Sequence, residues 1–364
     1  MLKKNFVLCL VLTLGLVLFF GLTLTPKAMA AEKKPAVVTL LLCPLGCGPL
    51  AGDTILGSLI ARKEPDLFIR VQETPGYVYN LREMGRNKRR WKNTMFGTDD
   101  DSINFAKIGD KEPFKEFYQE SIGEKFQLLY GEGYWIIGHY FITLNPKIKK
   151  ISDLKGKKIA VGLRSQTDWG MNPRIDLEFG YGITPKNAKI YHIGPSKMVE
   201  ELIDGKVDAI TMGGAAEPFF KTWLIAGGMR ALEASGRKLF YLGLDPEVIE
   251  KLNKRFGTSY LTVTVPAGTF PNQTEDLIVG ADRGYKTAHE TFDPDLAYKV
   301  IMAISKYAPD MKELHGLWKI WSPNLMVSGL SETNANPGAI RAYKELGWWD
   351  LRKKYKPVVF WWEK

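Results

Sequence analysis

Cysteine and histidine are scarce in this chain, with three and four residues among 364. The histidines, His139, His192, His289 and His315, stand at no ligand spacing, so the pattern offers no multi-histidine metal centre. G-x-S-x-G, a Ser/His/Asp grouping and H-E-x-x-H are missing too. With no assembled nucleophile in view, the chain is read as a non-enzyme. Past the first thirty residues nothing approaches the ~20 uninterrupted apolar residues of a spanning helix. Internal repeats and low-complexity tracts are absent.

What is present begins with a leader. Lys3 and Lys4 precede an apolar run from Phe6 to Leu24, and Ala28-Met29-Ala30 is an A-x-A cleavage signal. The reading is an export signal cut after Ala30, with a retained N-terminal anchor as the alternative. Cys9 lies within the run, too deep for lipid attachment. Loss of Lys3, Lys4 and Lys27 takes the net charge from +10 to +7. In an exported protein that excess concerns solubility, an anionic ligand or a membrane surface rather than nucleic acid. About 334 residues remain, more than one hydrophobic core comfortably serves.

Strand and helix signals alternate along them. Val37 to Leu42 is a short β-branched run, "CPLGCGPLAG" (43–52) a glycine-rich loop, and Thr54 to Ala61 has helical spacing. Leu67 to Gln72 alternates as a strand, a helix contains Asn80, Leu81 and Met84, and a third unit begins near Asn93. The apolar, aromatic stretch Phe126 to Leu144 ends at Asn145-Pro146, and the rhythm then restarts. Strands are expected at 159–162, 188–194, 207–214, 238–244 and 260–270, with helices at Ser196–Ile203, Pro294–Ala308 and Pro337–Leu346. This alternation predicts an α/β fold with open sheets flanked by helices. Two lobes are expected, 36–142 plus 278–364 and 143–277, with Phe126–Leu144 as crossover and a return crossing near 270–280.

Cys43 and Cys47 sit four apart on the first loop. A Cys-Pro-x-x-Cys loop can hold Cu(I) or serve redox exchange, but no downstream histidine partners it and redox pairs usually have two intervening residues. The plainer readings are an i,i+4 disulfide or two small buried thiols, with no cofactor and no metal. Gly46 and Gly48 let the backbone approach a ligand, and the helix that follows favours an anion at its N-terminus. In the later half, the strand at 159–162 opens into Arg164, Ser165, Gln166 and Thr167, at the sheet edge where open α/β folds bind ligands. Simple helix capping by Ser165 or Thr167 is the alternative. Asp99, Asp100 and Asp101 are read as a solvated turn rather than a cation site, and "REMGRNKRRWK" (82–92) as a solvated basic face. Tyr130, Tyr134, Trp135 and Tyr140 are read as packing, and Trp348, Trp349, Trp361 and Trp362 as a cover for the first lobe.

Five stretches carry a family resemblance: "GPLAGDTILGSLIARKEPDLFIRVQETPGYVYNLREM", "KKISDLKGKKIAVGLRSQT", "VEELIDGKVDAITMGG", "VPAGTF" and "NPGAIRAYKELGWW". Together they resemble the TAXI branch of solute receptors for tripartite ATP-independent periplasmic (TRAP) transporters, across most of residues 37 to 350. "NPGAIRAYKELG" is the most specific, although Asn336 replaces a histidine and Ala342 a tyrosine of that branch. The first loop departs as well, with Cys43, Pro44, Cys47 and Pro49 where the branch has Gly and Thr. The resemblance implies a type II periplasmic-binding-protein-like fold that holds a small organic anion, a carboxylate, between two lobes and hands it to membrane permease subunits. The expected lining is Gly46, Cys47, Gly48, Pro49, Thr74, Tyr77 and Asn80 from one lobe. From the other come Arg164, Ser165, Thr167, Trp169, Gly213 and Gly214, with Arg164 as the carboxylate's charge partner. A receptor for an ATP-driven importer and a copper or thiol protein are the rival readings.

Overall fold

Short runs of buried apolar residues, each feeding a helix, build the first half of the sheet. In the structure, a computed structural model that describes residues 35–363, β1 (Ala36–Leu41), α1 (Gly48–Lys63), β2 (Leu67–Gln72), α2 (Tyr77–Arg86) and β3 (Thr94–Asp99) follow in order. The expected leader and its cleavage point lie outside the described residues. Pro49 in the first turn and Arg62 and Lys63 in the last suit α1 to its termini. The helix starts inside the glycine-rich loop, earlier than Thr54. Two short helices, α3 (Ser102–Lys107) and α4 (Lys115–Tyr118), lead to the 18-residue strand β4 (Phe126–Thr143).

The second half repeats the rhythm. β5 (Lys158–Val161) is followed by a helical segment in which α5 (Asn172–Ile175) lies between two π-helical turns, Thr167–Met171 and Asp176–Gly180. β6 (Lys189–His192), α6 (Pro195–Ile203), β7 (Ala209–Ala216), β8 (Trp223–Ile225), α7 (Gly227–Ala234), β9 (Phe240–Leu242), α8 (Pro246–Phe256) and β10 (Leu261–Val265) come next. The chain returns through β11 (Leu277–His289). It ends with α9 (Pro294–Leu314), α10 (Gly316–Lys319), α11 (Pro323–Met326), α12 (Pro337–Glu345) and a tail.

All eleven strands join one mixed sheet in the order β2-β1-β3-β11-β4-β7-β5-β6, with β10 on β11, β9 on β4 and β8 on β7. Parallel strands occupy both flanks, β2-β1-β3 and β7-β5-β6, and the antiparallel pair β11 and β4 joins them. The two half-sheets are thus continuous through the two longest strands. The larger apolar cluster is continuous too, running from Leu41 on β1 through Phe141 on β4 to Ile159 on β5. A second cluster packs Met198, Leu202 and Met229 of α6 and α7 on Ile210 of β7. Trp349 is buried and stacks on Tyr343, while Trp361 and Trp362 pack on the first half's core.

The "NPGAIRAYKELG" stretch is a packing device. Asn336 accepts a hydrogen bond from the Gly338 N–H to cap α12, and its amide donates to Gln127 and the Phe292 carbonyl. A Cβ at Gly338 would sit 1.7 Å from the Pro294 carbonyl oxygen, so only glycine lets α12 approach α9.

Three expectations need correction. β11 was not anticipated, because Asp282, Arg283 and Lys286 break its apolar pattern, yet all three are buried. Helix α9 passes Pro309 and continues to Leu314 instead of stopping at Ala308. Asp99, Asp100 and Asp101 do not form a solvated turn: each is at most 3% exposed at the end of β3. The 82–92 segment behaves as a solvated basic face, with Arg86 and Arg90 paired to Glu120 and Glu83.

Candidate functional site

The carboxyl ends of β1 and β5 point at one another across the sheet, and the loops they open into line a cavity of about 290 Å³. A pocket at that edge is where open α/β sheets bind ligands, and its size suits a small organic molecule. Gly46, Cys47, Gly48, Pro49 and Tyr77 face it from the first half; Thr167, Trp169, Gly213 and Gly214 face it from the second. Cys43 and Cys47 are joined as a disulfide, both residues lining the cavity wall, so neither sulfur is a free thiolate for a metal.

Four of the residues expected in the lining do structural jobs elsewhere. The Thr74 hydroxyl donates to the Leu42 carbonyl at 2.6 Å, and the Asn80 amide donates to the same carbonyl at 2.7 Å, so both hold the first loop from behind. Ser165 donates to the Pro75 carbonyl at 2.7 Å, and its own carbonyl accepts from Val78 N–H at 3.0 Å, capping α2 across the two halves. Gly76, at φ +142°, permits this approach, since a Cβ there would meet the Ser165 oxygen at 2.3 Å. Arg164 departs furthest from its expected place. It is over half exposed, lies outside the cavity lining and pairs with Glu116 at 2.9 Å. The β5 loop turns it outward while folding Thr167 and Trp169 in.

Sequence reasoning missed the cavity's β4 wall, Glu132, Tyr134, Ile136, Ile137 and Gly138, along with Asp168, Ala226, Gly227 and His315. Glu132, a lone acid in an aromatic run, was the available signal. Its Oε1 accepts from Tyr77 at 2.6 Å and from the Lys286 ammonium at 2.8 Å, and its Oε2 accepts from Tyr134. Lys286 also contacts Asp53 at 3.1 Å. Burial first, then the nearby Asp99 and Glu132 charges, push the Asp168 carboxyl well above the usual carboxylate range.

Among the described residues lining the cavity there is no Lys or Arg. Positive potential comes instead from backbone. The first turns of α1 (Gly48), of the segment starting at Thr167, of α7 (Gly227) and of α10 (Gly316) all open onto the cavity, and none carries a side-chain cap. Uncapped N–H groups attract an anion, the termini of α1, α7 and the segment from Thr167 each contributing roughly 0.3–1 kcal/mol and up to ~2 when partly buried, and the single turn of α10 only its free N–H groups.

The model of the NMT1-like family matches residues 136–347, more than half of the chain. None of the curated protein sequences matches it. Among solved structures, one described as a periplasmic transporter is similar at 12% identity over 87% of this chain and 95% of that one, with a TM-score of 0.49. MatC from Rhodopseudomonas palustris with bound malate is similar at 13% identity over 87% and 98%, with a TM-score of 0.48. The periplasmic aliphatic sulphonate binding protein SsuA from Escherichia coli is similar at 13% identity over 88% and 78%, with a TM-score of 0.41.

Proposed function

The chain belongs to the NMT1-like family, and from that premise we propose that it is an exported, non-catalytic solute-binding protein for a small organic anion. The observation that carries this reading is the cavity ringed by four uncapped helix N-termini, without a lysine or arginine in its wall. Such a site favours a carboxylate or a similar oxyanion while leaving apolar contact to Ile136, Ile137 and Trp169.

The solute is released to membrane permease subunits, and the sequence stretches shared with TRAP receptors favour a TRAP permease over an ATP-driven importer. Residues 36–142 with 278–364 form one lobe and residues 143–277 the other, hinged where β4 and β11 pass between the half-sheets. The cross-contacts of Ser165 with Pro75 and Val78 support reading these as a closed lobe pair. Native protein analysed by mass spectrometry tests the assignment. A stoichiometric small organic anion supports it; a bound metal without such an anion, or turnover of the bound molecule, overturns it. Co-purification with the integral membrane subunits of a TRAP permease tests the partner.

A further inference from the structure

Behind the cavity wall the fold gathers carboxylates that nothing in the solute reading uses. Asp99 closes β3, Asp282 sits in mid-β11 and Asp168 lies in the first turn after Thr167, and one oxygen from each lies within 4.8 Å of the other two. Among the described residues no lysine, arginine or histidine is within ion-pair distance of any of the three. The nearest basic groups are committed elsewhere: Arg283 pairs with Asp100 at 3.0 Å, Lys286 with Glu132 and Asp53, and His139 with Asp176 at 2.7 Å.

A further observation points to something held between them. Asp282 is 1% exposed and its Oδ1 has no hydrogen-bond partner; the same is true of Oδ2 on Asp99, whose other oxygen accepts from the Ser102 N–H. Buried oxygens without partners are costly, and three carboxylates converging on one point demand either shared protons or a cation. Oxygens this close are bridged by one ion with metal–oxygen distances of about 2.3–2.6 Å after at most a small inward movement.

We propose that Asp99, Asp168 and Asp282 bind a hard divalent cation of calcium size, set directly behind the solute cavity. Hard oxygen ligands select such an ion over softer metals. Asp168 also lines the cavity, so the ion's remaining positions fall to water on that side. The burial and mutual repulsion that raise the Asp168 and Asp282 carboxyls are what the ion relieves. Because the ligands come from β3, β11 and the helical segment after β5, binding ties the two half-sheets together.

The test uses the whole exported chain, stripped with a chelator and assayed without added solute, so its outcome is independent of the solute reading. Calcium chloride should bind saturably at one site per chain by calorimetry and raise the thermal midpoint. Asp282→Asn keeps the side chain's shape while removing a charge. It should weaken calcium binding roughly tenfold or more, yet melt higher than the wild type when both are ion-free. That reversal of order separates a ligand from a merely structural residue. The proposal is overturned if calcium up to ~10 mM, beyond the weakest class of calcium modules, neither binds nor shifts the wild-type midpoint. It is equally overturned if Asp282→Asn folds and binds calcium as the wild type does.

Discussion

Glu116, on α4 of the first half, receives three basic side chains from the second: Arg164 Nε at 2.9 Å, His192 Nε2 at 3.0 Å and Arg174 Nε at 3.6 Å. The adjacent His192 ring lowers its carboxyl from an ordinary 4.5 to about 2, with Arg174 and Arg164 assisting and burial opposing. Taken whole, that difference corresponds to about 3 kcal/mol. Glu116's side chain is 21% exposed and Arg164's 56%, so solvent screening reduces the contribution to roughly 1–2 kcal/mol. Glu116→Gln should therefore lower the free energy of unfolding by about that amount at neutral pH. Since every partner lies across the two halves, it should also favour the open form and weaken solute capture by up to about 5–30-fold. The sign of the pH dependence follows from the depressed value. Stabilisation by the carboxylate is present above pH 4.5 and is lost as pH falls toward about 2, and Glu116→Gln should remove that part of the acid limb. Urea titrations from neutral to acid pH measure it. An unchanged neutral midpoint with a parallel acid limb would refute the latch.

Arg164→Ala should cost less than ~1 kcal/mol of stability and leave a direct ligand contact intact, as for an exposed ion pair; a loss of all binding in calorimetry would return Arg164 to the site. Tyr77→Phe removes a buried donor to Glu132 and should destabilise by about 1.5–3 kcal/mol in urea, whereas a neutral effect would mean that Tyr134 and Lys286 already satisfy the carboxylate. Asn336→Ala deletes the α12 cap and should cost roughly 1–2 kcal/mol in thermal unfolding without altering solute affinity, in keeping with its distance from the cavity lining. The Cys43→Ser/Cys47→Ser double variant should keep binding solute, because the disulfide shapes the wall and supplies no thiolate; a folded double variant that binds nothing contradicts this.

The flanking strands were legible because short apolar runs such as Val37–Leu42 and 159–162 alternate with helical spacing and turn residues. The centre was not. β11 carries Asp282, Arg283 and Lys286 in a fully buried strand, and a pattern that assigns charge to the surface reads such a segment as loop. The same bias turned Asp99, Asp100 and Asp101 into a solvated turn, when all three are buried and the partner of Asp100, Arg283, lies far along the chain. The glycine-rich loop and Thr167, Trp169, Gly213 and Gly214 meet on one cavity because strand-to-loop transitions mark a sheet's carboxyl edge, and that edge is visible in one dimension. Which way a loop residue turns is not. Arg164 and Thr167 stand three apart, and only the tight packing of the Gly162–Gly170 loop sends one outward and the other in.

Solute capture in the cavity is tested most directly by filling it. A Cβ at Gly227 would meet nothing within 4 Å, although the residue lines the cavity at the start of α7, so Gly227→Trp can extend into open space without displacing the core. The measurement is a calorimetric titration of the anion recovered from native protein into wild type and Gly227→Trp, each first shown to unfold cooperatively. The account predicts one-to-one binding by the wild type and none by the variant. Equal binding by both would place the solute elsewhere and contradict it.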